Sequence, residues 1–286
     1  MVWMHLLDKS SRLRNWAGDE AYVKWQYHRQ FKKPLCLDPP KTFNEKIQWL
    51  KLNWRKAIVT QCADKYEVRK FVEARVGGGV LKKIYGVWRR PEEIDFARLP
   101  DRFVLKINHG CRQQVICRDK AELDRPRCVK VLNYFLSQNR YHHGREWSYK
   151  NIDPKIFCEE LVNTDSLLEY NFFCFNGRPK IVEAVADQLG DTLAEMFDLD
   201  WKSVGRKYVV ASGFPNPVAK PAGFDRMLDY ATKLSQGFPF VRVDFLDNGK
   251  IYFGEMTFYP LNGMIEFIPP SLDDYFGSLL ELPEQI

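Results

Sequence analysis

Four polar residues with complementary chemistry lie within one short segment near the end of this 286-residue chain. Residues 240–257 contain two strand-like apolar runs joined by Asn248-Gly249, a strong signal for a β-hairpin. A two-residue loop there predicts that Arg242 lies opposite Glu255. The polar side chains of the hairpin would then share one face; they are Arg242, Asp244, Glu255 and Thr257.

The two acids of this hairpin have the chemistry of a magnesium site. Asp244 and Glu255 would be diagonal neighbours, and their hard oxygen donors suit Mg²⁺. Two acids and an arginine are costly to bury on an apolar hairpin unless a metal or a phosphate compensates their charge. A solvated polar face is the alternative that the pattern leaves open.

A second Asn-Gly dipeptide, Asn176-Gly177, predicts another hairpin. With a two-residue loop, Asn171 faces Val182, and Lys180 is a diagonal neighbour on that face. Lys180 either presents its charge to a phosphate or is a solvated edge residue.

One further lysine lies on an alternating strand, residues 103–108. Lys106 points away from the apolar side chains of this strand. The turn that starts at Gly110 could cover phosphates held by this lysine. His109 is as consistent with a structural role as with a functional one, since no adjacent nucleophile suggests a catalytic triad.

The spacing of apolar residues in the elements that position these side chains changes near residue 103. Before it, apolar residues recur at helical spacing, and Thr42 with Glu45 has the spacing of a capping box. After it, alternation predicts a mainly β region with inserted helices. Helices are predicted at residues 22–31, 42–50, 63–72, 120–138 and 224–237. Strands are predicted at residues 103–108, 115–118, 156–161, 170–175, 180–186, 240–245 and 251–258.

Composition narrows the classes of partner. The net charge of +6 favours anionic partners, but the charges are interspersed, so nucleic acid is not expected as a partner. Seven cysteines without a C-x-x-C pair or a signal peptide indicate reduced thiols and a cytoplasmic protein. No transmembrane helix is predicted. The aromatic helix at residues 22–31 is expected to pack on the core, with peripheral membrane contact as the alternative.

A set of short motifs stands in one order along nearly the whole chain. The motifs are Pro40-Lys41-Thr42-Phe43-Asn44-Glu45-Lys46, Ala63-Asp64-Lys65-Tyr66, Phe103-Val104-Leu105-Lys106 with Asn108-His109-Gly110, Glu159-Glu160, Phe172-Phe173-Cys174-Phe175-Asn176-Gly177, and Arg242-Val243-Asp244 with Gly254-Glu255-Met256-Thr257-Phe258. In order and spacing they closely resemble the TupA-like ATP-grasp family.

The resemblance implies an α+β protein with the ATP-grasp fold, in which two α+β lobes close on ATP. Residues 1–60 would be a helical N-terminal segment packed on the core. Residues 61–155 would form the N-terminal lobe, with a phosphate-covering loop at about 103–118. Residues 156–286 would form the C-terminal lobe with the metal-binding hairpin.

The resemblance also implies an activity. Such a protein would be an ATP- and Mg²⁺-dependent ligase that joins a uronic acid carboxylate to an amine or amino acid, through an acyl phosphate, in surface polysaccharide biosynthesis. The acidic sugar could be part of a nucleotide-sugar or of a lipid-linked glycan acceptor at the inner face of the membrane. A sugar or glycolipid kinase or transferase on the same fold, and a degenerate carbohydrate-binding member, remain as alternatives.

The roles of single residues follow from the resemblance by position. Arg242 and Lys106 would be catalytic, with Arg242 at the γ-phosphate or acyl phosphate. The metal ligands would be Asp244, Glu255 and Thr257. The nucleotide-binding residues would be Lys65, Lys106, Gly110, Arg112, Glu159, Glu160, Leu161, Val162 and Lys180, with Glu159 to Val162 as the strand that holds adenine.

The sequence departs from the usual family pattern at three places. Cys111-Arg112 follows Gly110 where the family has Ser-Gly, so a flexible glycine is lost. Asn171 occupies the position of a lysine. Leu261 follows Pro260 where the family has glycine. We expect the first two to alter phosphate contacts and the third to reshape the substrate-side loop.

Overall fold

The computed structural model describes residues 18–111, 113–162, 168–188, 191–207 and 212–284. Its α-helices are α1 (Asp19–Phe31), α2 (Phe43–Asn53), α3 (Ala57–Ala63), α4 (Val68–Val76), α5 (Arg125–Leu136), α6 (Tyr141–Gly144), α7 (Phe224–Ser235) and α8 (Leu272–Leu279). Its strands are β1 (Ile84–Trp88), β2 (Phe103–Ile107), β3 (Gln114–Cys117), β4 (Ile156–Glu160), β5 (Glu169–Phe175), β6 (Arg178–Gln188), β7 (Asp191–Asp198), β8 (Ser203–Lys207), β9 (Phe240–Asp247), β10 (Ile251–Thr257) and β11 (Phe267–Ile268).

The strands form two antiparallel sheets. The small sheet has the order β1-β4-β2-β3, and the large sheet has the order β10-β9-β5-β6-β7-β8-β11. Cys128 and Leu132 on α5 belong to the core of the small sheet, while α7 packs on β5, β6 and β9 of the large one. Helices packed on antiparallel sheets confirm the predicted α+β class.

One face of the large sheet is apolar at one end and polar at the other. Phe175 pairs with Phe240 in the β5–β9 ladder, and both rings contact Phe43 at the start of α2. Further along the same face, Asn171 pairs with Asp244. Because residues two apart on a strand share a face, the polar residues follow directly on the aromatic core.

The predicted helix at residues 63–72 is interrupted. Helix α3 ends at Ala63, and the Asp64 carboxylate accepts hydrogen bonds from the backbone N–H groups of Tyr66 (2.8 Å) and Glu67 (3.0 Å). This turn competes with the helical ladder, as Asp side chains commonly do. Lys65 therefore lies in a turn between α3 and α4.

The other predicted elements are present, but several elements were missed. The helix expected at 120–138 starts at Arg125, because Asp124 accepts a hydrogen bond from the N–H of Arg127 and so caps it. Strands β1, β7, β8 and β11, helices α6 and α8, and most of α3 were not predicted. Most other predicted elements match to within a few residues.

The aromatic helix α1 packs on the protein, as predicted. Tyr22, Val23 and Tyr27 are buried, whereas Trp25 is exposed. Among the described residues, no helix is long and apolar enough to cross a membrane. All seven cysteines are free thiols.

The capping box predicted at α2 is present and gives a stability test. The Thr42 hydroxyl accepts from the N–H of Glu45 (3.3 Å), and the Glu45 carboxylate accepts from the N–H of Thr42 (3.1 Å). Thr42→Ala should lower the free energy of unfolding by about 1 kcal/mol, because an N–H at the start of the helix loses its partner. Urea denaturation measures this loss. Thr42→Ser keeps a hydroxyl and should cost much less; equal losses in both variants would contradict the capping role.

Candidate functional site

The β9–β10 hairpin has a different loop from the one predicted. Ile251 pairs with Asp247, so three residues, 248–250, form the loop. The Asp247 carboxylate accepts from the N–H of Gly249 (3.0 Å), and Gly249 has a φ of 90°. A three-residue loop with glycine in the left-handed region is the next common hairpin after the two-residue type.

A β-bulge then reverses the effect of the longer loop. The register shifts between Phe253 and Met256, so that Thr257, and not Glu255, lies opposite Arg242. The predicted pairing of Arg242 with Glu255 was therefore wrong. One extra residue in the loop turns β10 over, and one extra residue in the bulge turns it back. The side chains of Glu255 and Thr257 thus return to the face of Arg242.

The four polar side chains form one connected cluster. The Arg242 guanidinium donates two hydrogen bonds to Asp244, from Nε (2.8 Å) and Nη2 (2.6 Å). The same Nη2 lies 3.4 Å from Thr257 Oγ1 and 3.8 Å from Glu255 Oε1. Thr257 in turn donates to Glu255 (3.1 Å). The cluster predicted from the hairpin therefore exists, through a different register.

Lys65 reaches this cluster from the turn after α3. Its ammonium forms an ion pair with Glu255, although 190 residues separate the two in sequence. Burial lowers the pKa of Lys65 to about 8. Burial also disfavours the Arg242 cation, but Asp244 outweighs it and raises the pKa of Arg242 above its usual range. The two carboxylates are thus each neutralised by a cation in this structure.

The turn that holds Lys65 is fixed by Asn108 at the end of β2. The Asn108 carbonyl accepts from the N–H of Lys65 (2.9 Å), and its amide donates to Asp64 (2.7 Å). His109 has an acceptor near each ring nitrogen, Asn108 Oδ1 at 3.2 Å from Nδ1 and the carbonyl of Gln138 at 2.8 Å from Nε2, and the neutral ring donates its one N–H across the shorter distance to Gln138. His109 is buried in these contacts and has a structural role.

Lys106 belongs to a second ion cluster on the small sheet. Its ammonium lies 2.6 Å from the Glu159 carboxylate, which also pairs with Lys82 at 3.6 Å. Burial would raise the pKa of Glu159, but the two lysines outweigh it and lower this pKa. Lys82 is buried and was not predicted. The positions of Lys82 and Lys106 in the sequence do not indicate that they lie together. They meet because both pair with Glu159 on β4, a strand that is far along the chain and is next to β1 in the sheet.

Apart from Lys180, the remaining predicted nucleotide-binding residues lie after strand β2 or at the end of strand β4. Gly110 is buried, and a Cβ there would meet the end of the flexible Gln113 side chain. Leu161 and Val162 follow β4, half-buried and buried, and the N–H of Glu160 donates to the carbonyl of Lys83 (3.0 Å). Arg112 lies outside the described residues.

The predicted position of Lys180 was wrong. A register shift beside Pro179 places Asn171 opposite Glu183 and not opposite Val182. Proline cannot donate to the ladder, which favours an irregular pairing at this point. Lys180 lies in the shift, close to the hairpin turn, and is exposed.

Two acids that sequence reasoning missed lie on the polar face beside Asn171. Glu183 is buried opposite it, and Glu169 lies two residues before it on the same face. With its nitrogen facing the carboxylates, the Asn171 amide donates to Glu169 (2.9 Å) and to Asp244 (3.2 Å). Burial, and then the charge of Asp244, raise the pKa of Glu169 to about 7. The alternation of residues 169, 171 and 173 was a signal that could have indicated Glu169.

The donor set of the hairpin fits Mg²⁺ in its chemistry. Asp244, Glu255 and Thr257 offer hard oxygen atoms. Over the described residues, however, no three His, Cys, Asp or Glu side chains are grouped so as to hold a metal ion. The cations of Arg242 and Lys65 occupy the two carboxylates instead.

Comparison with known proteins gives one family and several solved structures. A family model described as TupA-like ATPgrasp matches residues 45–281. No curated protein matches the chain. Similar structures include a D-alanine–D-alanine ligase from Bacillus anthracis (18% identity, TM-score 0.46), the ATP-grasp ligase PsnB complexed with a minimal precursor (10%, 0.41) and a biotin carboxylase–ATP complex from Campylobacter jejuni (13%, 0.44). The alignments cover 84%, 75% and 84% of this chain, and it spans 66%, 59% and 49% of theirs.

The raised pKa of Glu169 predicts a pH dependence of stability. Between about pH 4.5 and pH 7 the folded protein keeps the proton that the unfolded chain releases, so stability should fall as the pH rises through this window. Glu169→Gln cannot titrate and should remove a decline on the order of 2 kcal/mol. Urea denaturation from pH 4.5 to 8 in EDTA measures it.

The control for this experiment is Glu122→Gln, because Glu122 is an exposed carboxylate outside the cluster. This variant should keep the pH dependence of the unmodified protein. An unchanged decline in Glu169→Gln would mean that Glu169 does not hold the proton.

Proposed function

We propose, from the premise that the chain belongs to the TupA-like ATP-grasp family, that it is an ATP- and Mg²⁺-dependent carboxylate–amine ligase. The observation that carries this proposal is the meeting of Arg242, Asp244, Glu255 and Thr257 with Lys65 on one sheet face. This combination of oxygen donors and cations suits a metal-bound polyphosphate.

The cations of the site have distinct proposed roles. Lys65 and Arg242 are on the large-sheet side and would bind the terminal phosphates. Lys106, on the small sheet, would bind phosphate from the opposite side once it leaves Glu159. The strand end from Glu159 to Val162 would border the adenine. We accordingly place the nucleotide between the small sheet and the polar end of the large sheet.

Binding would exchange the partners of the two carboxylates. Asp244 and Glu255 would hold Mg²⁺, with Thr257 beside them, and Mg²⁺ would neutralise charge on the phosphates. Arg242 and Lys65 would then turn from the carboxylates to the phosphates. In this exchange each buried charge keeps an opposite charge, which avoids the cost of an unpaired ion.

The reaction forms two bonds in sequence. An oxygen of the acceptor carboxylate bonds to the γ-phosphorus while the bond from that phosphorus to the bridging oxygen breaks, giving an acyl phosphate and ADP. The amine nitrogen then attacks the acyl carbon, phosphate leaves and the amine loses a proton. Arg242 would stabilise the transferring phosphoryl group. We propose a uronic acid as the carboxylate substrate and surface polysaccharide synthesis as the setting.

A thermal-melt titration tests nucleotide use. Mg²⁺-ATP at a hundredfold excess over its Kd should stabilise the protein by about 2.7 kcal/mol. Asp244→Asn and Glu255→Gln should lose the magnesium-dependent part of this shift, and their rate of ADP release should fall by about a hundredfold in a screen of uronic acids with amines.

The matched control is Asp229→Asn, an exposed carboxylate on α7 that pairs with Lys233. It should behave like the unmodified protein. No shift at millimolar ATP would refute the proposed function, and a product that retains the phosphate would favour the kinase alternative.

The ion pair between Lys65 and Glu255 predicts how metal and nucleotide binding are coupled. Without nucleotide, Lys65 competes with a metal for the carboxylate, so Lys65→Met should bind Mn²⁺ about tenfold more tightly than the unmodified protein, a gain of about 1.4 kcal/mol. Isothermal titration calorimetry without ATP measures it. Lys155→Met, which removes a lysine paired with Glu67, is the control. Equal Mn²⁺ affinity in all three proteins would contradict this competition.

A further inference from the structure

A second cationic group lies beside the candidate site, on the segment between α5 and β4. His109 joins β2 to this segment, because its Nε2 bonds to the carbonyl of Gln138 at 2.8 Å. The preceding residue, Asn108, accepts a backbone hydrogen bond from Lys65 at 2.9 Å. The start of the loop after β2, including Cys111, therefore lies between Lys65 and the chain that leads to Arg140.

Electrostatic contacts agree with this placement. The Cys111 side chain interacts with both Lys65 and Arg140. The buried Tyr149 lies within electrostatic range of Glu146, Arg140 and Arg242. In addition, α3 packs against both the turn Trp147–Tyr149 and strand β10, which brings Tyr149 towards the strand that holds Glu255. Arg140 and Tyr149 thus border the phosphate side of the candidate site.

Arg140 keeps much of its binding capacity. Its Nε lies 3.1 Å from the Glu146 carboxylate, and 36% of its side chain is exposed. Glu146 also interacts with the buried ammonium of Lys51, so two cations share one carboxylate. An arginine held through Nε can still present its outer nitrogen atoms as a fork that matches a carboxylate.

We infer that Arg140 binds the carboxylate of the acceptor substrate. This inference rests on the proposed function, in which that carboxylate attacks the γ-phosphorus. An anion that approaches a polyphosphate is repelled by it, and a cation outside the phosphate-binding set reduces that repulsion and orients the attacking oxygen. The substrate class that Arg140 selects is an organic acid with an accessible carboxylate.

A purely structural Arg140, which only holds Glu146, is the competing explanation. Cys111 can distinguish the two because it is an exposed thiol next to the site. Iodoacetate and iodoacetamide alkylate a thiolate in the same way: the sulfur bonds to the CH₂ carbon as iodide leaves. Only iodoacetate carries a carboxylate. The rate with iodoacetate divided by the rate with iodoacetamide reports how strongly the surroundings attract a carboxylate. The reactivity of the thiolate affects both rates equally and does not change this ratio.

The experiment measures this ratio at Cys111 by peptide mass spectrometry on the full chain. Cys36, the other exposed cysteine, is the internal reference. The ratio at Cys111 should exceed that at Cys36 and should fall about fivefold in Arg140→Gln, which corresponds to about 1 kcal/mol of lost attraction. Because Arg112 is next to Cys111 in sequence, the comparison between the unmodified protein and Arg140→Gln decides the result.

Two further variants complete the test. Arg89→Gln removes an arginine that is 70% exposed and paired with Asp153, and it should leave the ratio unchanged. Arg140→Lys keeps the charge but not the forked geometry, so we expect a ratio between those of the unmodified protein and Arg140→Gln. If Arg140→Gln does not fold, Arg140→Lys replaces it in the comparison. An equal ratio at Cys111 in the unmodified protein and in the Arg140 variant that folds would overturn the inference.

Failure of the inference and failure of the proposed function give different results. Mg²⁺-ATP should stabilise Arg140→Gln as much as the unmodified protein, because Arg140 is assigned to the acceptor and not to the nucleotide. A normal ATP shift with an unchanged alkylation ratio removes the acceptor site alone. An absent ATP shift in the unmodified protein removes the proposed function, whatever the ratio at Cys111.

Discussion

The structure depends on the pairing of carboxylates on the polar face of the large sheet with nearby cations. Asp244 is fully buried and is held by Arg242 on its own strand, while the partly exposed Glu255 is paired with Lys65 from a distant turn. Removing Arg242 would leave an uncompensated buried charge at Asp244, which costs about 3–5 kcal/mol. The requirement ties the turn after α3 to strand β10. It also prepares a site in which a metal and phosphates can replace the present partners together.

Much of the fold could be predicted because its signals are local. The capping box at Thr42 and the alternation of the β region identified α2 and most of the strands that form the polar face. The cluster around Arg242 was also predicted, but for an incomplete reason. The Asn-Gly dipeptide fixed the place of the turn, whereas loop length and the bulge depended on hydrogen bonds of Asp247 and on backbone pairing. Two deviations of opposite effect left the side chains on the predicted face.

The parts of the fold and of the site that could not be predicted depend on contacts between residues far apart in sequence. No local pattern indicates that Asn108 would fix Lys65, or that Lys82 would share Glu159 with Lys106. The helix expected through Lys65 failed for the same reason: its pattern was helical, but Asp64 is bonded to both the turn and the neighbouring strand. Such residues serve tertiary structure at the expense of helical continuity. Roles assigned to single residues therefore required the three-dimensional arrangement.

Two departures from the usual family pattern have a physical account. Leu261 has a left-handed backbone (φ 47°), which glycine adopts more easily, and the buried Lys51 ammonium holds the next residue, Asn262, through its carbonyl (3.0 Å) and side chain (2.7 Å). Asn171 removes a positive charge from a face rich in acids. The raised pKa of Glu169 allows a bound proton to reduce the negative charge of this face.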